Sequence, residues 1–269
     1  MKQSQSKSRM DKVADVFINQ CLASGRTAFP LVDLVQATGL SVTAARNQLL
    51  RLKDRVTRVS PRQQFFLIVS PEHLTLGAPP VTWWLHDYFR WLGVPYYLAL
   101  LSAASSLGSN PQALQVTQVM TTIPRRIVEV GRLRVQFFAK RTLERTPTHP
   151  LANAYAPLQV STPEATAFDL IQYAPRIGGL GRAAETMAPL LPLMRPAELR
   201  RVLKIEDAPA TAQRLGFVLA HLRANDLASV VETWLPAGVK YVPLVPGGRV
   251  DAPEIKRWRI LNNALEFER

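Results

Sequence analysis

The stretch PLVDLVQATGLSVTAARNQLLRLK, residues 30–53, decides how the first part of the chain folds. Pro30 opens a helix carrying Leu31, Leu34 and Val35, Gly39 closes it in a turn, and Ser41 caps a further helix from Val42 to about Lys53. Two helices joined through a tight turn containing glycine form a helix-turn-helix. At about 100° per residue, the second of them should send Val42, Ala45, Leu49 and Leu52 to a core, and Thr43, Ala44, Asn47 and Arg51 the other way. That second face is polar and short-chained where it starts at Ser41, which suits insertion into a major groove. Small Thr43 and Ala44 let the backbone approach, Asn47 can pair with adenine, and Arg51 can pair with guanine or phosphate. Arg46 and Lys53 stand at the edge, placed for backbone phosphates. On this pattern alone a solvated polar face is the favoured reading.

The flanks favour the groove. Upstream, Met10, Val13, Val16, Phe17, Cys21 and Leu22 recur at helical spacing up to Gly25, while residues 1–9 are polar and basic and read as an arm. Downstream, Val56–Ser60 and Phe65–Val69 are β-prone runs around Pro61-Arg62-Gln63-Gln64, a hairpin where a winged domain carries its wing. Arg55, Arg58 and Arg62 lie along that hairpin, where a wing meets sugar-phosphate. The chain has 269 residues and a net charge of +13, and 11 Lys/Arg against 4 Asp/Glu fall in residues 1–70. The excess then declines, with 8 against 4 in residues 71–145 and 14 against 12 in 146–269. Such a gradient sets the polyanion-attracting field on the first half.

Composition bounds the rest. With 47% hydrophobic and 20% charged residues the chain can bury a sizeable core, which excludes global disorder and a small stapled scaffold. Cys21 is the single cysteine, the basic start lacks an apolar export segment, and no apolar run approaches a membrane span; we therefore expect a cytoplasmic protein with no membrane partner. The expected class is α+β, with a winged helix-turn-helix over 10–77 and a larger mixed α/β domain over 78–269. Gly77-Ala78-Pro79-Pro80 marks the linker.

Within the second part, an aromatic-rich helix should run from Thr82 to Leu92, and another from Pro95 through Tyr96 and Leu101 to Gly108. Strands are expected over Leu114–Thr122 and Ile127–Ala139, with Arg125, Arg126, Arg132 and Arg134 at their turns. These four form either a second basic surface or charged protection of sheet edges. The run Ser161-Thr162-Pro163-Glu164 signals a helix start, with Glu164 in a capping role. Residues 182–234 read as mostly helical, and Val239–Val245 as a last strand.

These segments resemble, in order and spacing, the AbiEi family of antitoxins of type IV toxin–antitoxin pairs, the abortive-infection systems of phage defence. The likeness rests on the winged N-terminal part, Tyr96–Ala104, Pro124-Arg125-Arg126, Val160–Leu170 with its STPEATAFDL core, Gly178-Gly179-Leu180, Tyr241–Leu244 and Arg257-Trp258-Arg259. In the hairpin, Gln63-Gln64-Phe65-Phe66 stands where family members often carry Gly-Tyr. The resemblance implies a transcriptional repressor that binds inverted repeats of double-stranded DNA in its own promoter. It also implies a functional partner, an AbiEii-like nucleotidyltransferase toxin, with or without direct contact.

No cofactor, metal site or catalytic residue is expected: there is no P-loop or dinucleotide fingerprint, and the four histidines lack ligand spacing. The best enzyme alternative is a metal-dependent nuclease built on Glu254-Ile255-Lys256 with Asp251 or Asp226, though these do not assemble as paired carboxylates. Two further alternatives are a winged-helix regulator without antitoxin role and a protein-interaction module that docks on an acidic partner.

Overall fold

A computed structural model describes residues 13–109, 116–151, 157–248, 251–264 and 267; the basic arm at 1–9 lies outside them. Among the described residues, the order opens with α1 (Val13–Ala23), β1 (Ala28–Pro30), α2 (Leu31–Thr38), α3 (Val42–Arg51), β2 (Val56–Arg58) and β3 (Phe65–Ile68). The three strands form an antiparallel sheet in the order β1-β3-β2. Gly39, at φ +68°, ends α2 in the left-handed conformation, and the Ser41 Oγ accepts from the Ala44 N–H at 3.2 Å to start α3. This arrangement is compatible with a winged helix-turn-helix. The short β1 had no signal in the sequence; it is defined by its pairing with β3.

Every residue of β3 is buried because both faces of the strand are covered. Phe66 and Ile68 join Phe29 in a core with α1, α2 and α3, while Phe65 and Leu67 turn to the opposite side. There they meet α4 (Val81–Leu92), whose Trp84, Leu85, Tyr88 and Phe89 are buried. Of the aromatic residues expected on this helix, Trp84 and Tyr88 are core and glue the first sheet to the second part of the chain, whereas Trp83 is half-buried and Trp91 is exposed. Ala78 and Pro79, in the expected linker, are buried in this layer too.

Beyond α4 lies a mixed six-stranded sheet, in the order β6-β7-β5-β4-β9-β8. Its strands are β4 (Tyr96–Leu98), β5 (Val116–Thr121), β6 (Val128–Val130), β7 (Leu133–Ala139), β8 (Thr148–Pro150) and β9 (Gln159–Ser161). The parallel β5–β7 register pairs Val119 with Phe137 and Met120 with Phe138. Val119 and Phe137 face the α4 layer, whereas Met120 and Phe138 face the helices on the far side.

Those helices are α5 (Leu100–Ser106), α6 (Pro163–Gln172), α7 (Ala174–Ile177), α8 (Gly179–Met187), α9 (Pro196–Glu206), α10 (Pro209–His221) and α11 (Asn225–Trp234). A small sheet of β10 (Val242–Pro243), β11 (Glu254–Ile255) and β12 (Ile260–Leu261) closes on α10, with Trp258 packed over Gly216. The class is mixed α and β, as expected.

Four expectations change. The strand expected over Ile127–Ala139 is a hairpin of β6 and β7, because Gly131 at positive φ turns the chain back on itself. Tyr96–Leu98 is a strand, not the start of a helix: it pairs with β5 and β9, and the helix begins only at Leu100. Tertiary pairing overrides local spacing there. Glu164 does not cap its own helix. Thr162 does so, accepting from the Ala165 N–H, while the buried Glu164 accepts from the Arg195 N–H at 2.8 Å and ties α6 to the start of α9. Val42, expected on the core face of α3, is 45% exposed. Gln48 takes up the buried arc in its place, because its Oε1 accepts from the Ala14 N–H at 2.9 Å and satisfies a donor of the first turn of α1.

Candidate nucleic-acid interface

The solvent face of α3 presents Ser41, Val42, Thr43, Arg46, Asn47, Leu50 and Arg51, with Ala44 half-buried and Lys53 exposed just beyond. Ala45, Gln48 and Leu49 hold the helix down. The face is rigidly seated, because its opposite side is locked in the core through apolar packing and the Gln48 bond.

The β2–β3 hairpin is held against this helix. The Arg46 Nε donates to the Gln64 Oε1 at 3.3 Å, so one donor of this exposed arginine is spent on orientation. At the hairpin bend, Arg58 lies 5.5 Å from the centroid of Phe66 and donates to the Pro61 carbonyl at 3.2 Å; Arg62 is exposed at the tip. Arg55 has a different fate. Its guanidinium pairs with Asp15 and donates to Asn19 at 2.7 Å, fastening the hairpin to α1.

The same hairpin faces the second half of the molecule across a cleft of about 360 Å³ lined by Ser60, Gln63, Tyr88, Arg125, Arg126 and Phe137, among others. The Tyr88 hydroxyl donates to the Gln63 Oε1 at 2.9 Å, and burial raises its pKa above the ordinary tyrosine value. The Arg125 Nε is buried without a hydrogen-bond partner, a costly state for a charged donor unless an acceptor arrives. Arg126 is exposed beside it.

The remaining pair behaves differently. Arg134 forms a 2.8 Å ion pair with Glu129 across the β6–β7 hairpin. Exposed Arg132 sits at the hairpin tip, where its backbone N–H donates to the Leu76 carbonyl at 2.8 Å. Gly131, at φ +57°, makes that docking possible: a Cβ there would lie 2.0 Å from the Leu76 oxygen. The structure therefore gathers Arg125 and Arg126 with the β2–β3 hairpin, and sets Arg132 and Arg134 on the neighbouring one.

A second polar constellation gave no signal in the sequence. Lys140, at the end of β7, is buried with Nζ 2.5 Å from the Asp169 Oδ1 and 2.8 Å from the Glu206 Oε1. The Tyr97 hydroxyl donates to the Asp169 Oδ2 at 2.9 Å, and the Thr142 hydroxyl to the Glu206 Oε2 at 2.8 Å. Burial raises the pKa of Asp169, with Lys140 opposing it; burial and the nearby Asp169 push Tyr97 well above its ordinary value. These side chains come from positions 97, 140, 169 and 206, so no local spacing could announce them. They cross-brace β4, β7, α6 and α9.

Among the described residues, no three His, Cys, Asp or Glu side chains group as a metal site, and no helix is long and apolar enough to cross a membrane. Glu254 stands exposed on β11, and Asp226 lies in the first turn of α11.

Comparison with known proteins finds a family model that matches the second part. Residues 97–221 match the model of the AbiEi antitoxin C-terminal domain, a span that includes the whole Lys140 constellation. Among solved structures, the RV2827C protein from Mycobacterium tuberculosis aligns over 93% of this chain and 90% of its own, with a TM-score of 0.68 at 14% identity, a likeness of fold. An antigenic nucleotidyltransferase-like protein from Paracoccidioides brasiliensis aligns over 57% of this chain and 91% of its own at 12% identity, with a TM-score of only 0.35. No curated protein matches the chain.

Proposed function

We propose, from the match of residues 97–221 to the AbiEi antitoxin C-terminal domain, that this protein is a DNA-binding antitoxin of a type IV toxin–antitoxin pair. It represses its own operon by binding promoter repeats and counteracts a nucleotidyltransferase toxin in the cytoplasm. The N-terminal part acts as a winged helix-turn-helix, with α3 in the major groove and the β2–β3 hairpin as the wing. The observation that carries this reading is the exposed face of α3, where Thr43, Arg46 and Asn47 are displayed while the wing holds Arg46 through Gln64. Base contacts fall to Asn47 and Arg51, with Thr43 and Ala44 permitting close approach from the Ser41 cap. Phosphate contacts fall to Arg46, Lys53, Arg58 and Arg62.

Arg125 and Arg126 extend the phosphate-binding surface across the cleft. A phosphate oxygen entering it would satisfy the orphaned Arg125 Nε, at the boundary between wing and antitoxin domain. Arg132 and Arg134 add positive potential on the adjoining hairpin, with Arg134 partly offset by Glu129. The antitoxin domain acts on the toxin from a scaffold braced by Lys140.

The test is a mobility shift with the gene's own upstream region against a scrambled duplex of equal length and composition, at moderate salt. Selective retardation of the native duplex is expected; equal retardation of both would refute the repressor. Co-expression with an AbiEii-like nucleotidyltransferase toxin, sought in the neighbouring reading frame, tests the antitoxin role: restored growth is expected, and unrelieved toxicity would refute it.

A further inference from the structure

Leu50 is 63% exposed, the most exposed of the large apolar side chains among the described residues, and it stands on the outward face of α3 rather than at a fringe. Val42, 45% exposed, lies two turns before it, with Arg46 between them; the i, i+4, i+8 spacing makes Val42, Arg46 and Leu50 one ridge. Asn47 adjoins Leu50 at i, i+3, and Thr43 adjoins Asn47 at i, i+4. Helix geometry thus puts two aliphatic side chains within the polar surface that the proposed function turns toward DNA. Leaving them in water forgoes burial that the core could have provided.

In a major groove the thymine C5-methyl is the apolar feature on the base edges, and it is met by apolar side chains. A ridge that alternates aliphatic, guanidinium and aliphatic groups, beside an asparagine, complements adenine–thymine steps flanked by phosphate. The positive charge around it, from Arg46, Arg51 and Lys53, fits a polyanion rather than an apolar protein face.

Resting on the DNA-binding reading, we propose that Leu50, supported by Val42, determines operator specificity by packing against thymine methyl groups in the major groove of double-stranded DNA. Asn47 reads the neighbouring adenine, and the two side chains together select an A·T-containing half-site.

The experiment uses the full chain and duplexes of the upstream segment located by footprinting, in which deoxyuridine replaces thymine one position at a time. That exchange removes only the methyl group. Wild-type protein should lose about fourfold in affinity at one or two positions of each half-site. Leu50→Ala should bind thymine and deoxyuridine duplexes equally at those positions, with the affinity that wild type shows for deoxyuridine. Because Leu50 is exposed, the variant should keep the wild-type thermal midpoint. Deoxyuridine that is silent with wild type would overturn the proposal while leaving DNA binding intact. So would a Leu50→Ala loss that is equal on both duplexes, or one explained by dissociation of a dimer in sedimentation. Failure to prefer the native duplex at all would overturn the DNA-binding reading and this proposal with it.

Discussion

Replacing Lys140 by methionine removes the one cation that two buried carboxylates share. In the folded protein the Lys140, Asp169 and Glu206 side chains are at most 3% exposed, and Nζ lies 2.5 and 2.8 Å from the two carboxylates. Methionine fills nearly the same volume, so packing is conserved and the perturbation is electrostatic. Leaving buried charge without its partner costs about 3–5 kcal/mol. For a chain of this size that corresponds to a fall in thermal midpoint on the order of 10 °C.

The loss should depend on pH, and its sign follows from Asp169. Burial already sets the Asp169 pKa above its ordinary value while Lys140 pulls it down; without Lys140 it rises further. A carboxyl whose folded pKa exceeds its unfolded one takes up its proton first in the folded state. Its stabilising contribution is therefore present below the unfolded pKa and is lost as pH rises through the folded pKa. Unfolding by guanidinium, followed by circular dichroism, should show Lys140→Met far below wild type at about pH 7 and closer to it at about pH 5. Asp169→Asn, which leaves Lys140 paired with Glu206, should cost less than Lys140→Met. A Lys140→Met deficit under about 1 kcal/mol, or one constant across this range, would refute the account of an ionised buried brace.

Other perturbations probe the interface and its supports. Asn47→Ala should weaken binding to the native upstream duplex by about 1–3 kcal/mol and leave binding to a scrambled duplex unchanged, as read by fluorescence anisotropy; equal loss on both would reduce Asn47 to a non-specific role. Removing Arg125 and Arg126 together should flatten the dependence of log affinity on log salt by ~0.9 for each phosphate that the protein no longer neutralises, and an unchanged slope would assign the cleft to other chemistry. Gly131→Ala places a Cβ against the backbone of Leu76 at a left-handed φ, so thermal unfolding should register a cost of about 1–3 kcal/mol or more. Gly216→Ala discriminates propensity from packing: helix preference favours alanine by about 1 kcal/mol, yet the new Cβ would lie 2.2 Å from the Trp258 ring. Net destabilisation in a melting curve is therefore expected, and stabilisation would mean that Trp258 moves freely.

What could be read directly from the chain were the features written within a few residues of one another. Gly39 and Ser41 determine the turn and cap because a left-handed φ and an N-cap acceptor are local demands. Phe65 and Phe66 announce a strand, and Thr162-Pro163 a helix start, for the same reason. The exposure of Thr43, Asn47 and Arg51 follows from the helical period and the apolar positions opposite them. Tertiary structure decided which arc of α3 is buried, because the Gln48 bond to Ala14 joins positions 34 residues apart and leaves Val42 outside. It also made Tyr96–Leu98 a strand through partners near Val119 and Val160, and covered both faces of β3. The Lys140 brace was invisible for the same cause: an ion pair depends on distance in space, and periodicity carries information only along one element.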